Sequence, residues 1–181
     1  MTLKTNFLLM ADYNEWMNNS IYDAASQLSH RDLKKDTGAF FGSVLGTLNH
    51  ILVADMIWLK RIAAHPNRLS SLQDIATRPV PQKLNTVMYQ DIETLKRERD
   101  LLDIVIKQLV GELSDETLES SLAYVNTAGT VYQKCLGHIM LHFFNHQTHH
   151  RGQVTTLLSQ LGVDVGVTDL LAIIPDVKLE R

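Results

Sequence analysis

The sequence predicts an all-α protein: a four-helix bundle with a long crossing between helices two and three and a small β-hairpin before helix four. Three observations carry this prediction. Four long stretches repeat apolar residues at a spacing of three to four, the period of an amphipathic helix. The prolines concentrate between the second and third stretches, and the fourth stretch carries histidines one helical turn apart.

The composition is that of an ordinary globular protein, with 45% apolar and 20% charged residues. A length of 181 residues suits one domain, residues 1–181, and is too short for two comfortable ones. The formal charge of −3 gives no electrostatic reason to expect nucleic acid as a partner. No membrane span or secretory pattern is recognised and Cys135 is the only cysteine, so we expect a cytoplasmic protein without a membrane partner.

The first half of the chain holds two predicted helices. Helix one is predicted over residues 3–28, and Ser29 is expected to cap the charged turn that follows. Helix two is predicted over residues 39–64 and ends at a His-Pro-Asn sequence. Phe41 and Trp58 on this helix are expected in the core.

The segment 66–85 contains three of the four prolines, which is typical of a connection that crosses the molecule. Three of its apolar side chains are expected to pack against the helices: Leu69, Leu72 and Ile75. Helix three is predicted over residues 87–113, with its charged run at 96–100 on the solvent side.

Residues 118–135 alternate apolar and polar side chains around 126–129, which predicts a small β-hairpin. A helical interpretation fits these residues nearly as well, so both stay open at this point. Helix four is predicted over residues 132–161, with Gly162 as its C-terminal cap. Thr168 is predicted to be the N-cap of a last short helix.

Helix four carries a column of histidines at i, i+4 steps: His138, His142, His146 and His150. Side chains at this spacing stand one turn apart, with Cβ atoms about 5–6 Å from one another. Two neutral imidazoles so placed can bind one divalent metal, with Zn–N bonds of about 2.0–2.1 Å. The spacing alone permits any neighbouring pair of the column equally well.

A catalytic zinc usually takes three protein ligands and leaves one position open, so a third ligand must come from elsewhere. His50 is the best candidate, because it lies in an apolar helix where a lone imidazole needs a partner. The alternative is that such histidines are hydrogen-bonded core residues, and His30 and His65, beside turn residues, are expected to be exposed. Five histidines in one helix favour the metal site.

Three segments carry a resemblance to a known family: YNEWMN in helix one, GAFFGSVLGTLNHILVADMIWLKR in helix two and HFFNHQTHHRGQVTTLL in helix four. Together they resemble the DinB/YfiT family, whose members are regarded as metalloenzymes, and the resemblance covers nearly the whole chain. It implies a four-helix bundle with a divalent metal, such as zinc or nickel, held by His50, His146 and His150. His142 is then expected beside the ligands or in the pocket wall, and His149 on the flanking face.

The resemblance also implies a function. The family includes thiol-dependent transferases and isomerases that use low-molecular-weight thiols such as bacillithiol, mycothiol or glutathione. We therefore expect a metal-dependent thiol S-transferase with a small-molecule substrate and a thiol cosubstrate. A metal-dependent hydrolase, in which the metal activates water, and a non-catalytic metal-binding bundle of the stress or damage response remain alternatives.

Three further side chains are candidates for orienting ligands or substrate: Asn14, Asn49 and Arg151. The two amides could orient a ligand, and the guanidinium could hold a carboxylate. The apolar side chains of Met10, Trp16 and Met17 are expected to remain partly uncovered by one core. They predict a homodimer, because dimers are the commonest closed assembly.

Overall fold

The computed structural model describes residues 2–79, 81 and 83–176, which are mainly helical; the predicted domain bounds, 1–181, extend past them. This part of the chain contains seven α-helices: α1 (Leu3–Ala25), α2 (His30–Leu33), α3 (Val44–Ala63), α4 (Gln73–Thr77), α5 (Ile92–Glu112), α6 (Asp115–Glu119) and α7 (Leu136–Gln160). It also contains two 3₁₀ turns, at Ser70–Leu72 and Leu170–Ile173, and two strands, β1 (Ser121–Val125) and β2 (Val131–Cys135).

The four long helices, α1, α3, α5 and α7, share one continuous cluster of buried apolar side chains. Helix α1 packs against α5 and α7, and α3 packs against α7 and, over a smaller area, against α5. This arrangement brings the histidines of α3 and α7 together. Among the described helices, none combines the length and apolarity that a membrane crossing requires.

Helix α3 begins five residues later than predicted, because a glycine turn precedes it. Gly38 and Gly42 have φ angles of 72° and 76°, a left-handed conformation that favours glycine. Ser43 then caps the helix by accepting a hydrogen bond from the backbone N–H of Gly46. Because of this turn, Phe41 precedes α3 instead of belonging to it, and its ring stacks on that of His50.

The predicted crossing between the second and third long helices is confirmed. It contains a 3₁₀ turn and α4, and the three apolar side chains expected to tuck it against the helices are buried: Leu69, Leu72 and Ile75. Helix α5 begins at Ile92 rather than at residue 87, because the Asp91 side chain accepts a hydrogen bond from the Thr94 N–H and caps the helix there.

The predicted hairpin is confirmed, and the helical interpretation of the same residues is wrong. Strands β1 and β2 pair antiparallel, with Ser121 opposite Cys135 and Val125 opposite Val131. At the tip, the Oδ1 atom of Asn126 accepts hydrogen bonds from two backbone N–H groups. Helix α7 therefore begins at Leu136 and not at residue 132, since the preceding residues belong to β2.

The end of α7 agrees with the sequence, whereas the tail does not. Gly162 has a φ angle of 79°, and the hydrogen bonds Val163 N–H to Leu158 O and Gly162 N–H to Ser159 O form a Schellman cap. The tail forms a 3₁₀ turn preceded by Asp169, so the predicted N-cap at Thr168 is wrong. The Thr168 carbonyl instead accepts a hydrogen bond from the Tyr13 hydroxyl at 2.5 Å.

Several side chains differ in burial from the expectation. His65 is only 3% exposed and its Nε2 lies 2.8 Å from Ser120 Oγ, so the prediction that it is exposed is wrong. Met17 is 2% exposed, because α1 turns it into the core, and it cannot contribute to a dimer surface. Trp58 and Phe41 are half-buried rather than core residues.

Candidate metal centre

Three histidines from two helices converge at the interface of α3 and α7. Each of His50, His146 and His150 offers a ring nitrogen, and these three atoms lie within 4.8 Å of one another. The Nε2 atoms of His50 and His150 are 3.1 Å apart. Two ligands of a tetrahedral zinc with bonds of about 2.0–2.1 Å lie roughly 3.3 Å apart, so this donor set fits a divalent metal.

The hydrogen bonds of the rings determine which nitrogens are free. His50 Nδ1 lies 2.9 Å from the Leu84 carbonyl, which can only accept, so Nδ1 carries the proton. His150 Nδ1 lies 2.8 Å from Gln153 Oε1 and is oriented in the same way. The facing Nε2 atoms of His50 and His150 then both present lone pairs, which repel each other unless a cation lies between them.

The charge state of the rings also suits a metal. Burial, and then the neighbouring histidines, lowers the pKa of His146 to about 3. Burial is also the main cause that lowers the pKa of His50 and of His150. All three imidazoles are therefore neutral at pH 7, the form that binds a metal, so a metal has little competition from protons there.

The surroundings of His50 hold its ring in place. Phe41, from the glycine turn before α3, stacks on the ring with the centroids 3.7 Å apart and an angle of 15°. Asn49 makes all its hydrogen bonds with backbone groups: it donates to Leu45 O and Tyr89 O and accepts from two N–H groups at 88–89. Asn49 thereby anchors the segment that supplies the carbonyl partner of His50 at residue 84.

The other histidines of α7 lie outside this group. The ring centroid of His142 is 5.9 Å from that of His146 and 5.2 Å from that of Trp58, which places His142 in the wall beside the ligands. His138 and His149 are exposed. Among the residues that the structure describes, no fourth histidine, cysteine or carboxylate joins the group.

Asn14 and Arg151 lie in the core and bind each other. Arg151 Nη1 donates to Asn14 Oδ1, and Asn14 Nδ2 donates to Asp103 Oδ1 at 2.9 Å. Asn14 is 0% exposed and Arg151 is 2% exposed. These hydrogen bonds of Asn14 and Arg151 go to core residues rather than to the three histidines.

The sequence did not predict the rest of this buried network. Arg99 is 1% exposed, with Nη1 2.5 Å from Asp55 Oδ2 and Nη2 2.9 Å from Asp103 Oδ1. Burial opposes the charge of Arg99, but the two carboxylates outweigh it and raise the pKa of Arg99. The placement of the charged run 96–100 on the solvent side is therefore wrong for Arg99. The sequence feature that could have indicated this network is Asp55, an acidic residue within an apolar helix.

Two cavities flank the histidines along α7. One, of about 350 Å³, is lined by residues that include Trp58, Tyr124 and His142. The other, of about 370 Å³, is lined by residues that include Phe40, His149 and Gln153. A larger cavity of about 680 Å³ lies at the C-terminal end of α7 and is lined by none of the three candidate ligands. The two flanking cavities are not lined by the three candidate ligands either; each is lined by a neighbouring histidine of α7, His142 in one and His149 in the other.

Comparison with known proteins agrees with this architecture. The chain is 22% identical over 160 residues to Protein DinB of Bacillus subtilis (strain 168), with 87% of each chain covered. The crystal structure of a DinB-like protein from Bacillus cereus ATCC 10987 has a TM-score of 0.56 and 21% identity, covers 83% of this chain and 89% of that one, and shows a related fold. The model of the DinB family matches residues 1–176, and since this is nearly the whole chain, the protein belongs to the DinB family.

Proposed function

We propose that the protein is a metal-dependent enzyme in which His50, His146 and His150 hold a divalent metal and a small thiol is the cosubstrate. The observation that carries this proposal is the donor set: three neutral imidazoles with no fourth protein ligand among the described residues. A structural zinc site is normally closed by four protein ligands, whereas a catalytic site keeps one position open.

A divalent metal held by His50, His146 and His150 would act as a Lewis acid and would lower the pKa of a thiol from about 8.5, which would favour the thiolate at neutral pH. The thiol proton passes to solvent. The sulfur then attacks an electrophilic carbon, forming a C–S bond as the leaving group departs with its electron pair. In this scheme Leu84 O and Gln153 Oε1 keep the rings of His50 and His150 oriented, and Phe41 covers one face of His50.

No acidic group joins the three histidines among the described residues, so the site offers no carboxylate general base of the kind that HExxH metalloproteases use for water. The thiol is proposed as the nucleophile because the chain belongs to the DinB family, which includes thiol-dependent transferases. A metal-dependent hydrolase is the second candidate, because a three-His zinc can also activate water. A non-catalytic metal-binding protein of the stress or damage response is the third.

Two further features belong to the proposal. The four long helices α1, α3, α5 and α7 are proposed to form the family's four-helix bundle, a cytoplasmic single domain. A homodimer is proposed as well. Met10 and Trp16 are partly buried, and the most exposed large apolar side chains among the described residues are Phe40 (88%), Leu171 (77%) and Val131 (71%). Sedimentation velocity at micromolar concentration would show a species of twice the 20.5 kDa chain mass.

The experiment is a conjugation assay on the metal-loaded protein. Bacillithiol and glutathione are each offered with a chloro-aromatic and an epoxide electrophile, and the metal content is measured on the same sample. His50→Ala and His146→Ala should each lower turnover by more than about 100-fold, since even changes behind the ligands of metal sites cost about 10–100-fold. The control is His30→Ala, an exposed histidine of α2 outside the cavities described above, which should keep its activity.

The outcomes separate the three candidates. Turnover that chelation removes and metal restores supports the thiol transferase. A loaded protein that is inert toward thiols but hydrolyses an ester or amide supports the hydrolase. A loaded protein that is inert in both assays supports the non-catalytic protein.

A further inference from the structure

A basic cavity lies between the end of α3, the segment before α5 and the tip of the hairpin. Its volume is about 580 Å³, and none of its described lining residues is an aspartate or a glutamate. The described lining residues are three cations and four other side chains: Lys60, Arg61 and Lys83 with Ile57, Pro81, Val125 and Thr127. The cavity therefore combines positive charge with an apolar wall.

The cations of this cavity have no counter-ion among the described residues. Arg61 lies with its guanidinium carbon 4.7 Å from the centre of the Trp58 ring and 5.1 Å from that of Tyr124, and it makes no ion pair there. Lys60 donates to the carbonyl of Arg78, and Lys83 is exposed without an ion pair. The two aromatic rings hold the planar guanidinium in place, so its N–H groups remain available for a bidentate oxyanion.

The cavity and the candidate metal centre lie along one side of α3. His50, Ile57 and Arg61 are spaced at i, i+7 and i+11, which puts Ile57 and Arg61 each within about 20° of His50 around the helix. Arg61 lies roughly 16 Å from His50 along the axis, and Ile57 roughly 10 Å. On the opposite wall, Lys83 precedes Leu84, whose carbonyl lies 2.9 Å from His50 Nδ1. An extended tripeptide, about 10 Å long, matches the axial separation of His50 from Ile57, which lines the cavity on α3.

We propose that this cavity binds the oxyanion end of the thiol cosubstrate, a carboxylate or a phosphate, while the sulfur reaches the candidate metal centre. Arg61 and Lys83 provide the charge, and Ile57, Pro81 and Val125 contact the apolar part of the ligand. The assignment of the sulfur rests on the proposed function. The oxyanion site itself needs no metal, and it can be tested on the chelated protein.

Isothermal titration calorimetry on the chelated full-length chain tests the site with two pairs of probes. S-methylglutathione is compared with its dimethyl ester, and 4′-phosphopantetheine with pantetheine. The charged member of at least one pair should bind at least about tenfold more tightly than its neutral counterpart. Added salt should weaken the binding of the charged probe. A preference in the first pair identifies a carboxylate as the ligand group, and a preference in the second identifies a phosphate.

Two variants locate the binding. Arg61→Gln and Lys83→Gln should each weaken the charged probe by about tenfold, the effect of losing a charge-assisted hydrogen bond. The matched controls are Arg31→Gln and Lys35→Gln. They remove the same charges from exposed side chains between α1 and α3 and should leave binding unchanged. Lys83→Gln keeps the test valid if Arg61→Gln does not fold, because Lys83 makes no side-chain hydrogen bond among the described residues.

The result that overturns the proposal is equal binding of charged and neutral probes in both pairs, or equal binding by wild type and Lys83→Gln. Failure of the proposed function gives a different pattern. In that case the loaded protein conjugates no thiol, yet the chelated protein still binds the charged probe in a manner that depends on Lys83.

Discussion

Two polar clusters adjoin α3 and α7, and they differ in how their charges and lone pairs are satisfied: the histidine cluster joins these two helices, and the buried network also involves α5. The buried network, Arg99 with Asp55 and Asp103, pairs each charge with an opposite one inside the core. The three histidines of the candidate metal centre present nitrogen lone pairs without a donor between them. Within the network, Arg99 Nε and Gln147 Oε1 have no hydrogen-bond partner among the described residues, but the charges of Arg99, Asp55 and Asp103 are paired. The histidine cluster contains no such pairing and could hold a cation.

In α7, residues of the two clusters are direct neighbours in the sequence. In α7, His146 is followed by Gln147, which donates to Asp55 Oδ2 at 2.8 Å, and His150 is followed by Arg151, which binds Asn14. Adjacent residues of a helix point about 100° apart. One side of α7 therefore belongs to the buried network and the next side carries the candidate metal ligands, so we expect substitutions in the two clusters to have separable effects.

The largest expected effect is the loss of stability in Arg99→Met. This change leaves Asp55 and Asp103 buried without their cation, which typically costs about 3–5 kcal/mol. Urea unfolding of the chelated protein measures the loss. Arg97→Met, an exposed arginine two residues earlier in α5, is the control and should change the free energy of unfolding by no more than about 0.5 kcal/mol. A loss below about 1 kcal/mol in Arg99→Met would show that the network is not a stabilising element.

The next effect concerns the metal. Zinc at a hundredfold excess over its Kd should raise the free energy of unfolding of the wild type by about 2.7 kcal/mol. His146→Ala should lose this gain and the bound metal, yet remain helical, because helix packing supplies most of the stability. Circular dichroism and metal analysis of the two chelated and reloaded proteins make the measurement.

His138→Ala is the control for this prediction, since it removes an exposed histidine of the same helix. It should keep both the metal and the stability gain. If chelation alone unfolds the wild type, the site is structural in the manner of small zinc domains, and the contrast between the two clusters disappears.

The sequence predicted the four long helices because each repeats apolar residues with one period, and the ends that it missed depend on local caps. The N-caps of α3 and α5 are Ser43 and Asp91. The periodicity of apolar residues did not show that the helices begin directly after these two residues. The hairpin and the buried crossing followed from turn residues and prolines. The spacing of apolar residues therefore predicted where the helices lie in the sequence, whereas hydrogen bonds of single capping side chains determine where they begin.

The candidate metal centre was easier to predict than the buried network. Histidines at i, i+4 spacing carry a local pattern, and the apolar surroundings of His50 indicated it as the partner from another helix. The family resemblance then selected His146 and His150 from the column. The partners of Arg99 lie 44 residues before it and four residues after it, and nothing in the charged run around Arg99 marks it as buried. A charge on a helix can be assigned to the core only when its partner on another helix is known.

The smallest effect tests His65, whose burial the sequence missed. Burial lowers the pKa of His65, whereas an unfolded histidine titrates near about 6.5. Below that pH the unfolded state binds more protons than the folded state, so the free energy of unfolding falls as the pH falls. His65→Gln should cost about 1 kcal/mol at about pH 7.5, through the contact with Ser120 Oγ, and this cost should shrink at about pH 5.5. Chemical unfolding of both chelated proteins at the two pH values makes the measurement, with His138→Gln as the exposed control. A cost that stays constant with pH would mean that His65 takes up its proton in the folded state as readily as in the unfolded one.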